Sequence, residues 1–337
     1  MLTIVVALLV GAIVARGLHR SAPHVAETAL LPTAHAAPPA ASWTPAQSAA
    51  MRAELRSAFA GATAGSVAYS LVVIDAAGRI IFDERGSHAV VPASVQKLIV
   101  AYTSLNMLGP TYRFHTIAAA GHSLVPGGTL EGNLWIVGSG DPSLRSTDLR
   151  SGMDALAHQG LHHISGGVAV DPTAMHGPEI NANWNAGDAN EDFQTAISAV
   201  SLDGDTAEFR IYGQAPGTPA RAAIVPESDA LHTSGTVLTS SGSDDVIIAA
   251  MAAPNTFRFS GTIPPYTEEK FWLPVHNMPH YVGSVVERML RSEGITVGAA
   301  PSVQAAPIDS VMLWDHRSAP LATLEKFMLF VSDNHYA

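Results

Sequence analysis

The 337-residue chain has 18 basic and 29 acidic side chains, a formal charge of −11, with 47% hydrophobic and 14% charged residues and no cysteine. The apolar fraction and low charge density exclude a disordered chain, and the missing cysteine excludes disulfide scaffolds, thiolate metal sites and a thiol nucleophile. With an acid excess and three lysines in all (Lys97, Lys270, Lys326), no basic stripe can neutralise phosphates, so no nucleic-acid partner is expected.

Along the chain, Leu2 to Val14 is a run of 13 mostly apolar residues, too short to span a bilayer and of the length of a secretory core region. Ala34-His35-Ala36 supplies a small-x-small cleavage site, although Arg16 and Arg20 follow the run instead of preceding it. Residues 1–43 are therefore expected to be a signal peptide or short membrane anchor plus linker, with a buried core helix as the weaker alternative. Thr44-Pro45-Ala46-Gln47 has the pattern of a capping box with proline at the first helical position. The helix it opens carries Met51, Leu55 and Phe59 on one face and is expected to end at Gly61 and Gly65. A hairpin follows, Val67–Ile74 and Arg79–Phe82 around a turn at Asp75–Gly78. From Ser94 to Leu108 the spacing of Leu98, Ala101, Leu105 and Leu108 predicts a helix stopped by Gly109-Pro110. From residue 119 to 280 the helix signals thin out and short β-type runs dominate, among them Leu134–Val137, Gly167–Val170, Ala207–Tyr212, Val246–Ala249 and Thr256–Phe259. Helical spacing returns at Val285, Val286, Met289 and Leu290, closed by Gly294, and again at Leu321, Leu324, Met328 and Val331.

Two constellations carry chemistry. In Val91-Pro-Ala-Ser94-Val-Gln-Lys97-Leu, a spacing of i, i+3 places a hydroxyl and an amine on one helical face. A hydroxyl at a helix start lies near free backbone N–H groups that stabilise an oxyanion. A lysine desolvated in an apolar helix loses its preference for the ammonium form and becomes a base toward that hydroxyl. Alone, the pair also fits a capping serine with a solvated lysine. Ser332-Asp333-Asn334, at the end of the helix from Leu321, offers a second hydroxyl and an amide, and alone it also fits an ordinary polar helix stop.

Taken together, Ser-x-x-Lys and Ser-x-Asn are two of the three motifs shared by penicillin-binding proteins and class A β-lactamases. With a long insert between them, and with Pro92–Leu98, Leu108–Phe114, Gly138–Leu144 and His316–Leu321 standing in order, the chain from about residue 44 resembles the class C low-molecular-mass penicillin-binding proteins. These are D-alanyl-D-alanine carboxypeptidases/endopeptidases. The resemblance implies an α+β fold: a penicillin-binding/β-lactamase-like transpeptidase domain split over 44–118 and 281–337, incomplete at its C-terminus, and interrupted by a β-rich insert at 119–280. It implies Ser94 as nucleophile, Lys97 as its base, Ser332 as a proton relay to the leaving amine and Asn334 as the group that holds the substrate amide. Asp141, in the Gly-Asp-Pro loop, is expected either to meet the peptide side chain or to be a turn residue.

The third motif, Lys-Thr-Gly on a strand, has no counterpart in the three residues after Asn334, and Arg150-Ser151-Gly152 precedes Ser332, so a truncated form is expected. The strands that would pair with the N-terminal hairpin in the resembled fold are likewise expected to be absent from such a truncated form.

No cofactor is expected. His158, His162 and His163 lie close together, but there is no His-Glu-x-x-His arrangement, so no metal is expected either. The expected partners are peptidoglycan stem peptides and cross-bridges, with β-lactams as inhibitors and a peripheral or anchored membrane association. The expected location is the periplasm or the outer face of the cytoplasmic membrane. The leading alternative is a non-catalytic relative that binds cell-wall peptides without turnover, and a class A-type β-lactamase is a weaker third.

Overall fold

A computed structural model describes residues 44–62, 70–74, 78–123, 127–184, 191, 193–242 and 246–337. The apolar run, the small-x-small site and the linker lie outside them, as do Gly65, Val67–Tyr69 and Asp75–Ala77 of the expected helix stop and hairpin. The chain divides into two units, residues 1–96 and 97–337.

In the first unit, helix α1 (Pro45–Ala62) starts as its sequence dictates. The Thr44 Oγ1 accepts from the Gln47 N–H at 3.2 Å, and the Gln47 side chain accepts from the Thr44 N–H at 2.9 Å. Two of the helix's orphan donors are thereby satisfied. Met51 and Leu55 are half-buried on one face. Arg52 Nε donates to the Ile81 carbonyl at 2.7 Å, tying the helix to an antiparallel pair, β1 (Leu71–Ile74) and β2 (Ile80–Glu84). Ile81 and Phe82 of β2 are buried. The unit ends in a 3-10 turn, Ala93–Gln96.

The second unit opens with α2 (Lys97–Leu108) and is organised around a five-stranded sheet. Its members are β3 (His115–Ala120), β5 (Leu134–Gly138), β7 (Val168–Asp171), β15 (Ser302–Val303) and β16 (Val311–Arg317), in the order β15-β7-β5-β3-β16. β15, β7 and β5 run parallel, while β3 is antiparallel to both β5 and β16. A small parallel sheet, β14-β6-β4, is built from β4 (Thr129–Leu130), β6 (His163–Ile164) and β14 (Thr296–Val297). Two helices pack with the large sheet, α3 (Ser146–His158) and α4 (Met278–Ser292). α4 buries Tyr281, Val282, Val285, Val286, Met289 and Leu290, the face its 3.6-residue spacing predicts. No described helix is long and apolar enough to cross a membrane.

Two further three-stranded sheets hold the middle of the chain. One is β13-β8-β9, from β8 (Thr206–Tyr212), β9 (Arg221–Val225) and β13 (Glu268–Pro274). The other is β10-β12-β11, from β10 (His232–Thr239), β11 (Val246–Ala253) and β12 (Thr256–Ile263). β8 alternates, with Ala207, Phe209 and Ile211 buried and the residues between them only half-buried. That period of two is what a half-buried strand requires. Phe209 meets Phe257 and Phe259 of β12 at ring separations of 4.6 and 5.5 Å, and Phe259 meets Phe271 of β13 at 5.7 Å. This aromatic cluster joins the two sheets.

The α+β class expected from the sequence is the class observed; the runs Leu134–Val137, Ala207–Tyr212, Val246–Ala249 and Thr256–Phe259 lie in strands, while Gly167 and Arg79 fall just outside β7 and β2. Helix α3 departs from expectation, because the stretch containing it is read from sequence as part of a β-rich region. Its buried stripe, Leu149, Met153 and Leu156, is short and interrupted by Gly152, which lowers the helical signal. The glycine has a packing reason: a Cβ there would strike the Trp314 indole of β16. The last helix, α5 (Leu321–Val331), pairs with α2. Ser104 Oγ of α2 donates to Glu325 Oε1 of α5 at 2.5 Å, and Glu325 is buried.

Candidate active site

Ser94 lies in the 3-10 turn that closes the first unit and is exposed. The regular α-helix begins only at Lys97, so the single helix expected from Ser94 onward is a 3-10 turn followed by α2. Pro92 and the preceding residues cannot extend the helix backward, and Val95 N–H closes the turn on the Pro92 carbonyl at 3.1 Å. Ala93, directly before the serine, has φ +46°, a left-handed conformation that costs a non-glycine residue about 1–3 kcal/mol.

Within the second unit, Lys97 is 6% exposed although it carries an amine. Burial pushes its pKa down, and the Asp333 carboxylate partly opposes this. Its Nζ donates to Asn334 Oδ1 at 2.6 Å across 237 residues of sequence. Asn334 in turn donates from Nδ2 to the Phe193 carbonyl at 3.1 Å. The structure therefore brings together the lysine of the first motif and the asparagine of the second.

Ser332 is the residue that ends α5, in a left-handed conformation with φ +61°, and its side chain is exposed. Asp333 braces the turn that follows, its Oδ1 accepting from the His335 N–H at 2.8 Å and the Tyr336 N–H at 3.3 Å. A left-handed residue at a helix C-terminus satisfies otherwise orphaned carbonyls. Here Ser332 and Asp333 N–H groups both return to the Met328 carbonyl, the latter at 3.2 Å.

Asp141 follows β5 and is 1% exposed. One carboxylate oxygen accepts from the Ser143 N–H at 2.9 Å and the Ser143 hydroxyl at 2.6 Å, the signature of an Asx turn. The other faces His316 Nε2 at 3.6 Å, and the same nitrogen lies 4.0 Å from Asp148. Burial raises the Asp141 pKa, while Ser143 and His316 pull it down. The loop leading to it is tight. Gly140 N–H donates to the Ala199 carbonyl at 2.8 Å, and a Cβ at Gly138 would collide with that same carbonyl.

One group of residues gave no signal in the sequence. Ser201, Asp205 and His335 form a buried polar cluster beside the Asn334 turn. Ser201 Oγ lies 2.7 Å from His335 Nε2 and donates to Asp205 Oδ1 at 2.8 Å. Asp205 is fully buried, and that burial raises its pKa from 3.8 to about 6 despite the attraction of His335. Its three members are 134 positions apart at the extremes, and Ser201 to Asp205 resembles a polar turn between strands. Among the described residues no cluster of three or more His, Asp or Glu is placed to hold a metal ion. His158 and His163 hydrogen-bond instead to the Asp154 carbonyl and the Thr296 hydroxyl, each at 2.7 Å.

Comparison with known proteins places the chain in a family. Residues 51–337 match the D-Ala-D-Ala carboxypeptidase 3 (S13) family. A D-alanyl-D-alanine carboxypeptidase of Actinomadura sp. (strain R39) is 28% identical over 284 residues, covering 80% of this chain and 53% of that protein. The D-alanyl-D-alanine carboxypeptidase DacB of Haemophilus influenzae is 26% identical over 267 residues, 77% of this chain and 55% of its own length. The crystal structure of penicillin binding protein 4 from the same organism superposes with a TM-score of 0.65 at 24% identity, over 77% of this chain and 58% of that one. A second structure of that protein, in complex with a β-lactam, gives a TM-score of 0.59. These likenesses establish a shared fold, and the chain spans about half the length of the curated relatives it matches. The resemblance read from the motifs is borne out over most of the sequence: the chain belongs to the D-Ala-D-Ala carboxypeptidase 3 (S13) family.

Proposed function

We propose that the protein is a serine-type D-alanyl-D-alanine carboxypeptidase/endopeptidase that acts on peptidoglycan stem peptides and cross-bridges and is acylated by β-lactams. The observation that carries the reading is Lys97, a buried lysine held on Asn334 by a 2.6 Å hydrogen bond, in a chain of the S13 family. In this reading Ser94 Oγ attacks the carbonyl carbon before the terminal D-alanine, and its proton passes to neutral Lys97. As the C–N bond breaks, the leaving amine takes a proton by way of Ser332, and water then hydrolyses the acyl-serine. Asn334 holds the substrate amide while accepting from Lys97. The strained backbone at Ala93 is of the kind that clusters at reactive serines. Asp141 as the group that meets the peptide side chain belongs to the same proposal.

The amine must be neutral to act as base, so acylation rises with pH toward the depressed pKa of Lys97. A fluorescent penicillin should label the wild-type chain at Ser94 and leave Ser94→Ala unlabelled, and only the wild type should release D-alanine from a stem peptide. Equal labelling of Ser94→Ala would overturn the assignment, whereas peptide binding without release would favour the non-catalytic wall-binding reading. Export to the periplasm or the outer membrane face completes the proposal, tested by fusing residues 1–43 to a reporter active only outside the cytoplasm.

A further inference from the structure

The turn that presents Asn334 is anchored by the residue after it. His335 turns its side chain inward, where it is 8% exposed, and its imidazole meets Ser201 and Asp205. The hydroxyl proton of Ser201 is committed to Asp205 Oδ1, so Nε2 of the imidazole must be the donor to Ser201 Oγ. That fixes the orientation of the ring. Nδ1 then faces Asp205 Oδ2 at 3.5 Å, and neither atom has a hydrogen bond among the described residues. Asp205 Oδ1 also accepts from the Leu202 N–H at 3.0 Å, so the carboxylate is itself pinned to the backbone.

We propose that His335 is a positioning residue for this site: clamped by Ser201 and Asp205, it holds the 332–336 turn so that Asn334 Oδ1 stays on the Lys97 amine. Three observations converge on this. The turn contains a left-handed non-glycine residue, Ser332, which persists only when its surroundings over-determine it. The polar cluster is buried where an apolar side chain would pack at lower electrostatic cost, so its contribution is a defined geometry. Asn334 and His335 are adjacent, so a shift of the imidazole moves the amide. The ionisable groups around the cluster include Asp203 on the same turn as Asp205, Tyr281 from α4, Arg145 beside Asp203 and Tyr336, and Asp333, Tyr336 and Lys97 on the site side. His335 is too enclosed to act on substrate and works through Asn334.

The kinetic part of the test rests on the serine-peptidase reading; the spectroscopic part does not. Full-length wild type, His335→Ala, His335→Gln and Ser201→Ala are compared for fluorescent-penicillin acylation, resolved into binding and the acylation step. Lys97 is titrated by NMR with 13Cε-lysine, a clean measurement because the chain has three lysines. His335→Ala is expected to slow the acylation step by roughly ten- to a hundredfold with little change in binding, the scale of a misplacement near 1 Å. The Lys97 titration moves up toward the ordinary lysine range, because a loosened turn relieves the desolvation that depresses it. Ser201→Ala shifts it in the same direction by less. His335→Gln, whose amide reaches Ser201, restores most of both signals. A folded His335→Ala with unchanged Lys97 titration and acylation overturns the proposal, as does a Gln variant that fails to rescue a defective Ala variant. If His335→Ala does not fold, Ser201→Ala and His335→Gln decide on the same readouts. If wild type is not labelled at Ser94, the peptidase reading fails and the Lys97 titration alone decides this one.

Discussion

Replacing Asp205 by asparagine removes a carboxylate from a site with no solvent contact while leaving its shape in place. Burial raises the Asp205 pKa from 3.8 to about 6, with a further push from Asp203, against the pull of His335 and the hydrogen bonds from Leu202 and Ser201. A group whose folded-state pKa lies above its unfolded value favours folding fully below the unfolded value and loses that contribution as pH rises through the folded one. Between pH 4 and 6 the native protein therefore holds a proton the unfolded chain has lost, and wild-type stability falls by up to about 1.4 kcal/mol per pH unit on this account. Summed over a shift of about two units, the ionised carboxylate costs about 3 kcal/mol at pH 7 relative to pH 4. Asparagine carries no such dependence, and its carbonyl still accepts from Ser201 and Leu202. Urea denaturation of both proteins at half-unit steps from pH 4 to 7.5 measures the difference. Asp205→Asn should gain on wild type steadily as pH rises and level off above 7. A difference that is flat with pH, or that turns in favour of wild type, would refute the reasoning.

Two other substitutions test the packing and the surface. Gly138→Ala places a methyl against the Ala199 carbonyl and the Val200 side chain, so it should cost about 1–3 kcal/mol by thermal or urea unfolding. A loss under about 0.5 kcal/mol would mean the 199–200 segment yields freely. Arg288→Ala breaks the pair with Asp229, but both side chains are largely exposed, so the cost should stay below about 1 kcal/mol and shrink in high salt.

Legibility in the sequence followed the range of the interaction. Elements set by local rules were readable: the Thr44–Gln47 box, the alternation of β8, the apolar stripe of α4 and the end of α5 at Ser332. Helix α3 was hidden because Gly152 interrupts its stripe for the sake of Trp314, a partner 162 positions away that no local window contains. The α-helix starts at Lys97, one turn after the start its apolar spacing predicts, since so short a run does not separate 3-10 from α residues. Ser94, Lys97, Ser332 and Asn334 were found as motifs, yet only the folded chain places Lys97 on Asn334. The Ser201–Asp205–His335 cluster had no motif and no period. Its residue types are ordinary for turns, and what sets it apart is burial, which composition does not encode.

The antiparallel pairing of β3 with β16 bears on the order in which the molecule assembles. Joining Lys97 to Asn334 directly closes a loop of 237 residues. Once His115 is opposite Arg317, the chain still to be closed shrinks to about 35 residues. The entropic saving is about 2 kcal/mol, since closure cost grows with the logarithm of loop length. The β3–β16 pairing thus acts as a clasp at the neck of the intervening chain, residues 121–310, and the Lys97–Asn334 contact should form after it in folding. The same hierarchy runs backward. Fraying of the Asn334 turn can expose Lys97 while the sheet stays closed, whereas hydrogen exchange that opens β16 should open the Lys97–Asn334 contact with it.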